Sequence, residues 1–403
     1  MIDVRAMRRK TGVCAHGIRM PVVRKGDKLA SLVAEYLELA SKSSYEPFEL
    51  RDRDVVGVTE SLLARAQGNI VTLDEIALDV SRKLPEGDAA VAFPILSRNR
   101  FLQLLDGIVR GVRGKVLLFL SCPGDEVGNH LADPVEYLKK SAELPPCFGE
   151  AEYDAILGRF RHPFTGVDYV ELYKSLNPDK IELYFTNNPL CILDHVQNVI
   201  LANIHQRGLY ASLLRERGAK VLTLDQICTA PLSEGGGYNA EYGLLGSNYS
   251  RSGAVKLFPR DAREFAYELQ AELRRVSGRE MQTLVYGDGA FKDPACGIWE
   301  LADPVVSPGY TEGLEGTPSE IKLKMVADNA QDNPDEAVRA AILAKPEATK
   351  KESGLSEQQN ALGTTPRRYS DLLGSLCDLV SGSGDKGTPV VHISGYFDSF
   401  IDD

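Results

Sequence analysis

The sequence lacks the patterns that mark the commonest site types. Its seven cysteines (Cys14, Cys122, Cys147, Cys191, Cys228, Cys296 and Cys377) are scattered, odd in number and never spaced as Cys-x-x-Cys. That argues against a disulfide framework and against a cysteine-rich zinc site. There is no His-Glu-x-x-His, no Gly-x-Gly-x-x-Gly after a strand pattern and no Ser-His-Asp signature, so zincin, dinucleotide-binding and standard-triad chemistry have no support. No run reaches the roughly 18 apolar residues that span a membrane. The first residues, "MIDVRAMRRKTGVCAHGIRM", carry early positive charge without an apolar stretch, so no secretory signal is expected. Positive charge is also in deficit. With a net charge of -11, a nucleic-acid partner is not expected, and neither is a membrane; the cytoplasm is the expected home. No internal repeats occur.

What is present suits a globular protein. The chain has 403 residues, enough for one to three domains with a sizeable core. Hydrophobic residues make up 43% and charged residues 26%, an ordinary balance for such a protein.

Periodicity divides the chain. Residues 27–40 and 100–112 read as amphipathic helices, and 54–59 and 115–121 as apolar strands. A helix ended by Gly68 is expected over 60–69. Residues 122–134 and 141–169 are rich in turn formers. Then 181–187 reads as a strand, 195–218 as one long helix and 219–224 as a strand, which together suggest a βαβ unit. The glycine-rich 233–243 closes this block. Residues 261–278 predict a helix with Asp261 and Glu264 as a capping box and Gly278 as its stop. A strand over 281–287 follows, and then a helix over 317–326 with Thr317 as N-cap. The polar stretch 327–365 reads as exposed helix plus loop. Residues 367–382 form a helix that runs through a glycine turn into a final strand by 397.

Several segments invite a chemical reading. In "LVYGDGAFKDP" Asp288 lies between two glycines after an apolar run. Gly287 and Gly289 remove the Cβ atoms that block close approach, so a cation or phosphate can sit there. Asp-Gly is also the commonest turn dipeptide, and a plain turn is the simpler reading. "SGSGDKG" (381–387) offers amides and Lys386 to a phosphate, although Thr388 stands where a Walker lysine belongs. A helix C-cap followed by a turn explains the same residues. "GSNYSRSG" (246–253) presents Asn248 and two hydroxyls, or a polar turn. "FRHPFTGVDYVELY" gathers His162 and Asp168 on a loop, where function concentrates, though one His near one Asp is usually structural. In "CPGDEVGNHLADP" Asp125, Glu126, His130 and Asp133 offer metal ligands, in what reads more simply as a solvated loop. His195 and His205, ten apart on the expected long helix, face different ways.

The order of these segments resembles the coenzyme F420-0:L-glutamate ligase family. "MPVVRKGDKLASLV" and "RDRDVVGVTESLLARAQGNIVTLDEI" resemble its N-terminal part. "GSNYSRSGAVKLFPRDAREFAYELQAELRRVSG" resembles its Ser-Asn segment, strand and helix. "VYGDGAFKDP" resembles its metal-binding strand end, and "DLLGSLCDLVSGSGDKGTPVVHISGYF" its C-terminal helix, glycine loop and strand. Residues 122–235 have no clear counterpart.

The resemblance implies an α+β fold with mixed sheets of the gamma-glutamyl ligase type and an inserted α/β block. Residues 1–121 and 236–403 then form the ligase-like part, and 122–235 the insert. It implies GTP or ATP with Mg²⁺ or Mn²⁺, L-glutamate, a small-molecule carboxylate acceptor and a homodimer. Met20, Pro21, Val22 and Val23 match the first nucleotide-contacting turn, with Val22 where Glu is usual. Thr59 matches a family Thr, Glu60 stands where Gln is usual, and Arg65 falls near a basic residue. Asn248 matches a nucleotide-contacting Asn. Asp288 matches a metal acid, and Gly289 replaces Thr. Gly382, Ser383, Gly384, Lys386 and Gly387 match the nucleotide loop. Leu245 and Ser383 stand where the family has further metal ligands, which counts against a two-metal arrangement and leaves room for one.

The function expected is an amide ligase, with Asp288, Lys292, His162 and Asp168 as candidate catalytic groups. A nucleotide- or metabolite-binding protein that has lost catalysis is the alternative. A flavin or deazaflavin redox protein lacks a dinucleotide fingerprint.

Overall fold

The computed structural model describes residues 11–163, 165–251, 253–287, 291–292, 299–300, 305–318, 321–330, 333–344, 368–381 and 386–399. The chain opens with β1 (Cys14–Ile18), α1 (Leu29–Ser41), β2 (Val55–Thr59) and α2 (Glu60–Gln67). Next come β3 (Ile70–Thr72), α3 (Leu73–Lys83), β4 (Ala89–Ala92), α4 (Phe101–Gly111) and β5 (Val116–Leu120). After α5 (Pro134–Lys140) and β6 (Cys147–Gly149), a single turn α6 (Glu150–Glu152) passes into a π-helical turn over Tyr153–Leu157. Then follow α7 (Tyr169–Lys174), β7 (Ile181–Thr186), β8 (Asn198–Leu201), α8 (Arg207–Glu216) and β9 (Lys220–Thr223). β10 (Asn248–Arg251), β11 (Ala254–Lys256), α9 (Ala262–Ser277) and β12 (Gln282–Tyr286) lead on to β13 (Phe291–Lys292), β14 (Trp299–Glu300) and β15 (Gly309–Tyr310). α10 (Leu323–Asn329), α11 (Pro334–Leu343), α12 (Tyr369–Ser381) and β16 (Val390–Ser394) complete the described chain. Helices and mixed sheets together make an α+β fold, as expected.

The chain packs as two units. The first comprises Met1–Ala66, Asp261–Gly289 and Val305–Asp403, and the second Gln67–Arg260 and Ala290–Pro304. The first unit holds a five-stranded sheet in the order β1-β16-β2-β12-β15. Its β2–β12 pair is parallel and its other pairs are antiparallel. Side chains alternate across it, as the pleat requires. Val56 and Val58 of β2 pack with Leu37 of α1 and Leu269 of α9. Val55 packs with Leu373 and Cys377 of α12 on the other face. Gly57 shares that second face, and a Cβ there would collide with Cys377 Sγ.

The second unit holds a six-stranded sheet in the order β6-β7-β5-β4-β8-β9. β6 is antiparallel at one edge and the other five strands are parallel. Ala89, Val91, Val116 and Leu118 face one core with α4 and α7. Ala90, Ala92, Leu117 and Phe119 face another with α8. Strands covered on both faces read as continuous apolar runs rather than alternating ones. This sheet draws strands from residues 89–92 and 116–120 as well as from 122–235, so the packing boundaries near 67 and 260 differ from the expected segment limits.

Three local readings are corrected. The long helix expected over 195–218 is the strand β8, a loop and α8. Pairing of Val199–Leu201 with both β4 and β9 overrides the helical pattern. His195 therefore follows a 3₁₀ turn, His205 sits in a loop, and the two share no helix. Asp261 makes no side-chain cap because its φ of 53° is left-handed, whereas a capping residue is normally extended. The helix expected from Thr317 begins among the described residues at Leu323, with residues 319–320 outside those described.

Candidate functional site

Strand register brings four distant segments to one edge of the first unit's sheet. β2 and β12 run parallel, with Thr59 beside Tyr286. β16 runs antiparallel to β2 with Val390 opposite Val58, and the Thr59 amide donates to the Pro389 carbonyl at 3.0 Å. β1 places Ile18 opposite Val390, and the Met20 amide donates to the Gly387 carbonyl at 3.0 Å. The exits of β1, β2 and β12 and the lead-in to β16 thus share one rim.

α2 begins at Glu60, directly after β2, so its N-terminus, where a helix carries partial positive charge, lies at this edge. Gly387 adopts φ 68°, a conformation that favours glycine, and Lys386 beside it is exposed. The Thr388 hydroxyl donates to the Ser381 carbonyl at 3.1 Å, tying the lead-in to the end of α12. The Tyr286 hydroxyl donates to the Pro389 carbonyl at 3.3 Å, and burial pushes this phenol well up, so it stays a neutral donor. In the Met20–Val23 turn Val23 is buried and anchors the segment, while Val22 is 77% exposed. Glu60 is buried at the rim. Arg65 is exposed in the last turn of α2, away from the end that opens on the rim.

Asp288, Gly289, Gly382, Ser383 and Gly384 lie outside the described residues. Gly287, the last described residue before Asp288 and just past the end of β12, donates its amide to the Val306 carbonyl at 2.7 Å. The backbone of Lys292 pairs with Trp299 in the β13–β14 hairpin of the second unit.

The remaining candidates belong to the second unit. Asn248 starts β10 opposite Lys256, and its side-chain oxygen accepts from the Tyr249 amide at 2.8 Å. Asn248–Arg251 thus pairs antiparallel with Ala254–Lys256. Asp168 is the N-cap of α7, accepting from the Glu171 amide at 3.0 Å. His162 is buried and its Nδ1 accepts from the Thr165 amide at 3.2 Å. Burial, helped by His130, holds its pKa below the usual histidine value. Both residues have structural tasks that account for their positions. In the 122–134 loop Asp125 accepts from the Leu96 and Asn129 amides, at 2.7 and 2.8 Å, and Glu126 from the His205 amide at 3.1 Å.

The donor set bears on the metal. Leu245 is buried and apolar, so this position supplies no oxygen ligand. Among the described residues no group of three or more His, Cys, Asp or Glu could hold a metal ion. Tyr286 and Pro389 were not foreseen as rim residues; their only signal was adjacency to Gly287 and to the strand after the glycine loop.

Residues 17–395 match the family described as F420-0:gamma-glutamyl ligase. The chain belongs to that family, a family of ligases. The match runs through 122–235 as well as both flanks. Among curated proteins none matches the chain. Among the described residues no helix is long and apolar enough to cross a membrane.

Proposed function

We propose that this chain joins the amine of L-glutamate to a carboxylate of a small molecule at the expense of GTP or ATP, with one Mg²⁺ or Mn²⁺. The acceptor carboxylate attacks the γ-phosphorus, and the bond to the β–γ bridging oxygen breaks to release the diphosphate. The glutamate amine then displaces phosphate from the acyl phosphate and loses a proton. Such chemistry needs charge placed around phosphates more than it needs covalent catalysts.

The observation that carries this reading is the convergence of four segments at the α2 N-terminus, with Lys386 beside them. In the proposal the 381–388 loop and the Met20–Val23 turn hold the nucleotide, Lys386 supplies phosphate charge, and Asp288 is the cation ligand. The cation would neutralise phosphate charge. The family resemblance adds a homodimer.

The test is calorimetric titration of GTP and ATP, with and without Mn²⁺, into wild type, Asp288→Ala and Lys386→Ala. Metal-dependent binding that Asp288→Ala abolishes and Lys386→Ala weakens supports the reading; no binding under any condition removes it. A second reading, a nucleotide-binding protein without catalysis, draws on the apolar Leu245. Nucleotide bound but never hydrolysed or transferred with any carboxylate and glutamate favours that alternative.

A further inference from the structure

The five parallel strands of the second unit wind in two directions from β4. The chain first builds β5 and β7 on one side, then crosses back to build β8 and β9 on the other. The reversal falls between β4 and β8. Connections that leave adjacent strands in opposite directions open a crevice beyond the carboxyl ends, where open α/β sheets take their ligands. Phe93, the first residue past β4, sits at φ 57°, a conformation that a bulky side chain rarely adopts. Backbone held in such a region clusters at ligand sites.

The crevice measures about 50 Å³. Its walls include Ile95 after β4, Phe101 and Leu104 of α4, Ile204 after β8, Leu224 after β9, and Leu245. Three polar residues also line it, Ser97, Arg100 and Ser247, and each is engaged within the protein. The Ser97 hydroxyl accepts from the Arg100 and Phe101 amides at 3.2 and 2.9 Å. The Ser247 hydroxyl donates to the Leu244 carbonyl at 2.7 Å, and Arg100 has an interaction of its own. The start of α4, the usual polar contact at a switch point, is occupied too. Besides the two amides on the Ser97 hydroxyl, the Leu102 amide donates to the Ser97 carbonyl at 3.2 Å.

The lining selects the ligand. A polar or charged group entering the crevice has to break one of these bonds or stay unpaired, and either costs free energy. An apolar group breaks none of them and gains by leaving water. The turn after β4 reads Phe93-Pro94-Ile95-Leu96 and carries no glycine, so a dinucleotide pyrophosphate cannot approach the backbone as it does in nucleotide-binding sheets. The volume has room for roughly three or four water-sized groups. We propose that this crevice binds a short branched alkyl group, packed against Phe101, Leu104 and Leu245 and held by burial alone. The site lies within the second unit and is independent of whether the first unit turns over nucleotide.

Isobutane tests it, titrated into the full chain with its Ile and Leu methyl groups labelled for NMR. Saturable shifts are expected at the methyls of Leu104, Ile204 and Leu245, and none at Leu37 and Leu269 in the core of the first unit. Isobutyrate and isobutylammonium, close in shape but charged, should shift none of them. Leu104→Trp fills the crevice and should weaken isobutane binding by about tenfold or more, the scale of two carbons left in water. Ile95→Trp fills it from a half-buried position and should act alike, which keeps the test open if Leu104→Trp fails to fold. Three results overturn the proposal: no saturable shift in wild type, isobutyrate bound as tightly as isobutane, or wild-type affinity in a Trp variant whose circular dichroism is unchanged.

Discussion

His392 Nε2 lies 2.8 Å from Asp54 Oδ2, and both side chains are buried. The His392 ring in turn approaches His16, Nδ1 to Nδ1, at 3.3 Å. One assignment satisfies the chain with neutral rings: His16 Nδ1–H donates to His392 Nδ1, and His392 Nε2–H donates to Asp54. Phe48 stacks on both rings, with centroids 4.3 and 5.0 Å away. Asp54 also accepts from the Arg51 amide at 2.8 Å. Asp54→Ala leaves a buried imidazole and an amide without their acceptor, and should lower unfolding free energy by about 3 kcal/mol in urea. The double variant Asp54→Leu, His392→Leu should cost less than the sum of the single variants, because no orphan remains.

The same cluster sets a pH dependence. Burial first, and His392 second, hold the His16 pKa below its ordinary 6.5. The folded state therefore binds fewer protons than the unfolded state just below pH 6.5. Stability should fall as pH drops from that value through the folded pKa, and should be fully present above it. His130 and His162 are shifted the same way and add to the slope. His16→Phe keeps the stack on Phe48 and removes one proton, so Tm measured from pH 7 to 5 should decline less steeply. An unchanged slope would remove His16 from the account.

Helix starts separate a working cap from an apparent one. Thr72 and Glu75 form a reciprocal capping box on α3, with the Glu75 amide 3.1 Å from the Thr72 hydroxyl. Thr72→Ala should cost about 1 kcal/mol. Asp261 carries a similar sequence pattern on α9 but sits at φ 53° with no side-chain cap bond. Asp261→Gly should be neutral or stabilising by up to about 1 kcal/mol, since glycine occupies that region without strain. Urea midpoints of the two variants moving in the same direction by the same amount would contradict this.

Gly57 depends on its neighbour in α12. Gly57→Ala places a Cβ against Cys377 Sγ and should lose about 1–3 kcal/mol by overpacking. Cys377→Ala creates room, so the double variant should recover part of that loss by thermal unfolding. Strictly additive effects would mean that the two side chains do not meet.

Much of this protein was legible before any fold was known. The helices over 29–41, 101–111 and 262–277 follow from apolar spacing, because one helical face must be buried. The strands of 55–59, 116–120 and 282–286 follow from apolar runs with β-branched residues. The ligase family was also readable from ordered motifs, since those segments keep their sequence order whatever the fold does. Other features had no local signature. β4 is the alanine-rich Ala89–Ala92, and β8 hides in a helical pattern; pairing with neighbours far along the chain makes each a strand. The Asp54–His392 pair is 338 residues apart in sequence, so only packing could join it. Likewise the sequence named Met20, Thr59, Lys386 and Gly387 one at a time, but the register of β1, β16, β2 and β12 puts them on a single rim. Local chemistry is written in short segments, whereas hydrogen-bond register between strands is a property of the assembled sheet, and that register decided where the chemistry meets.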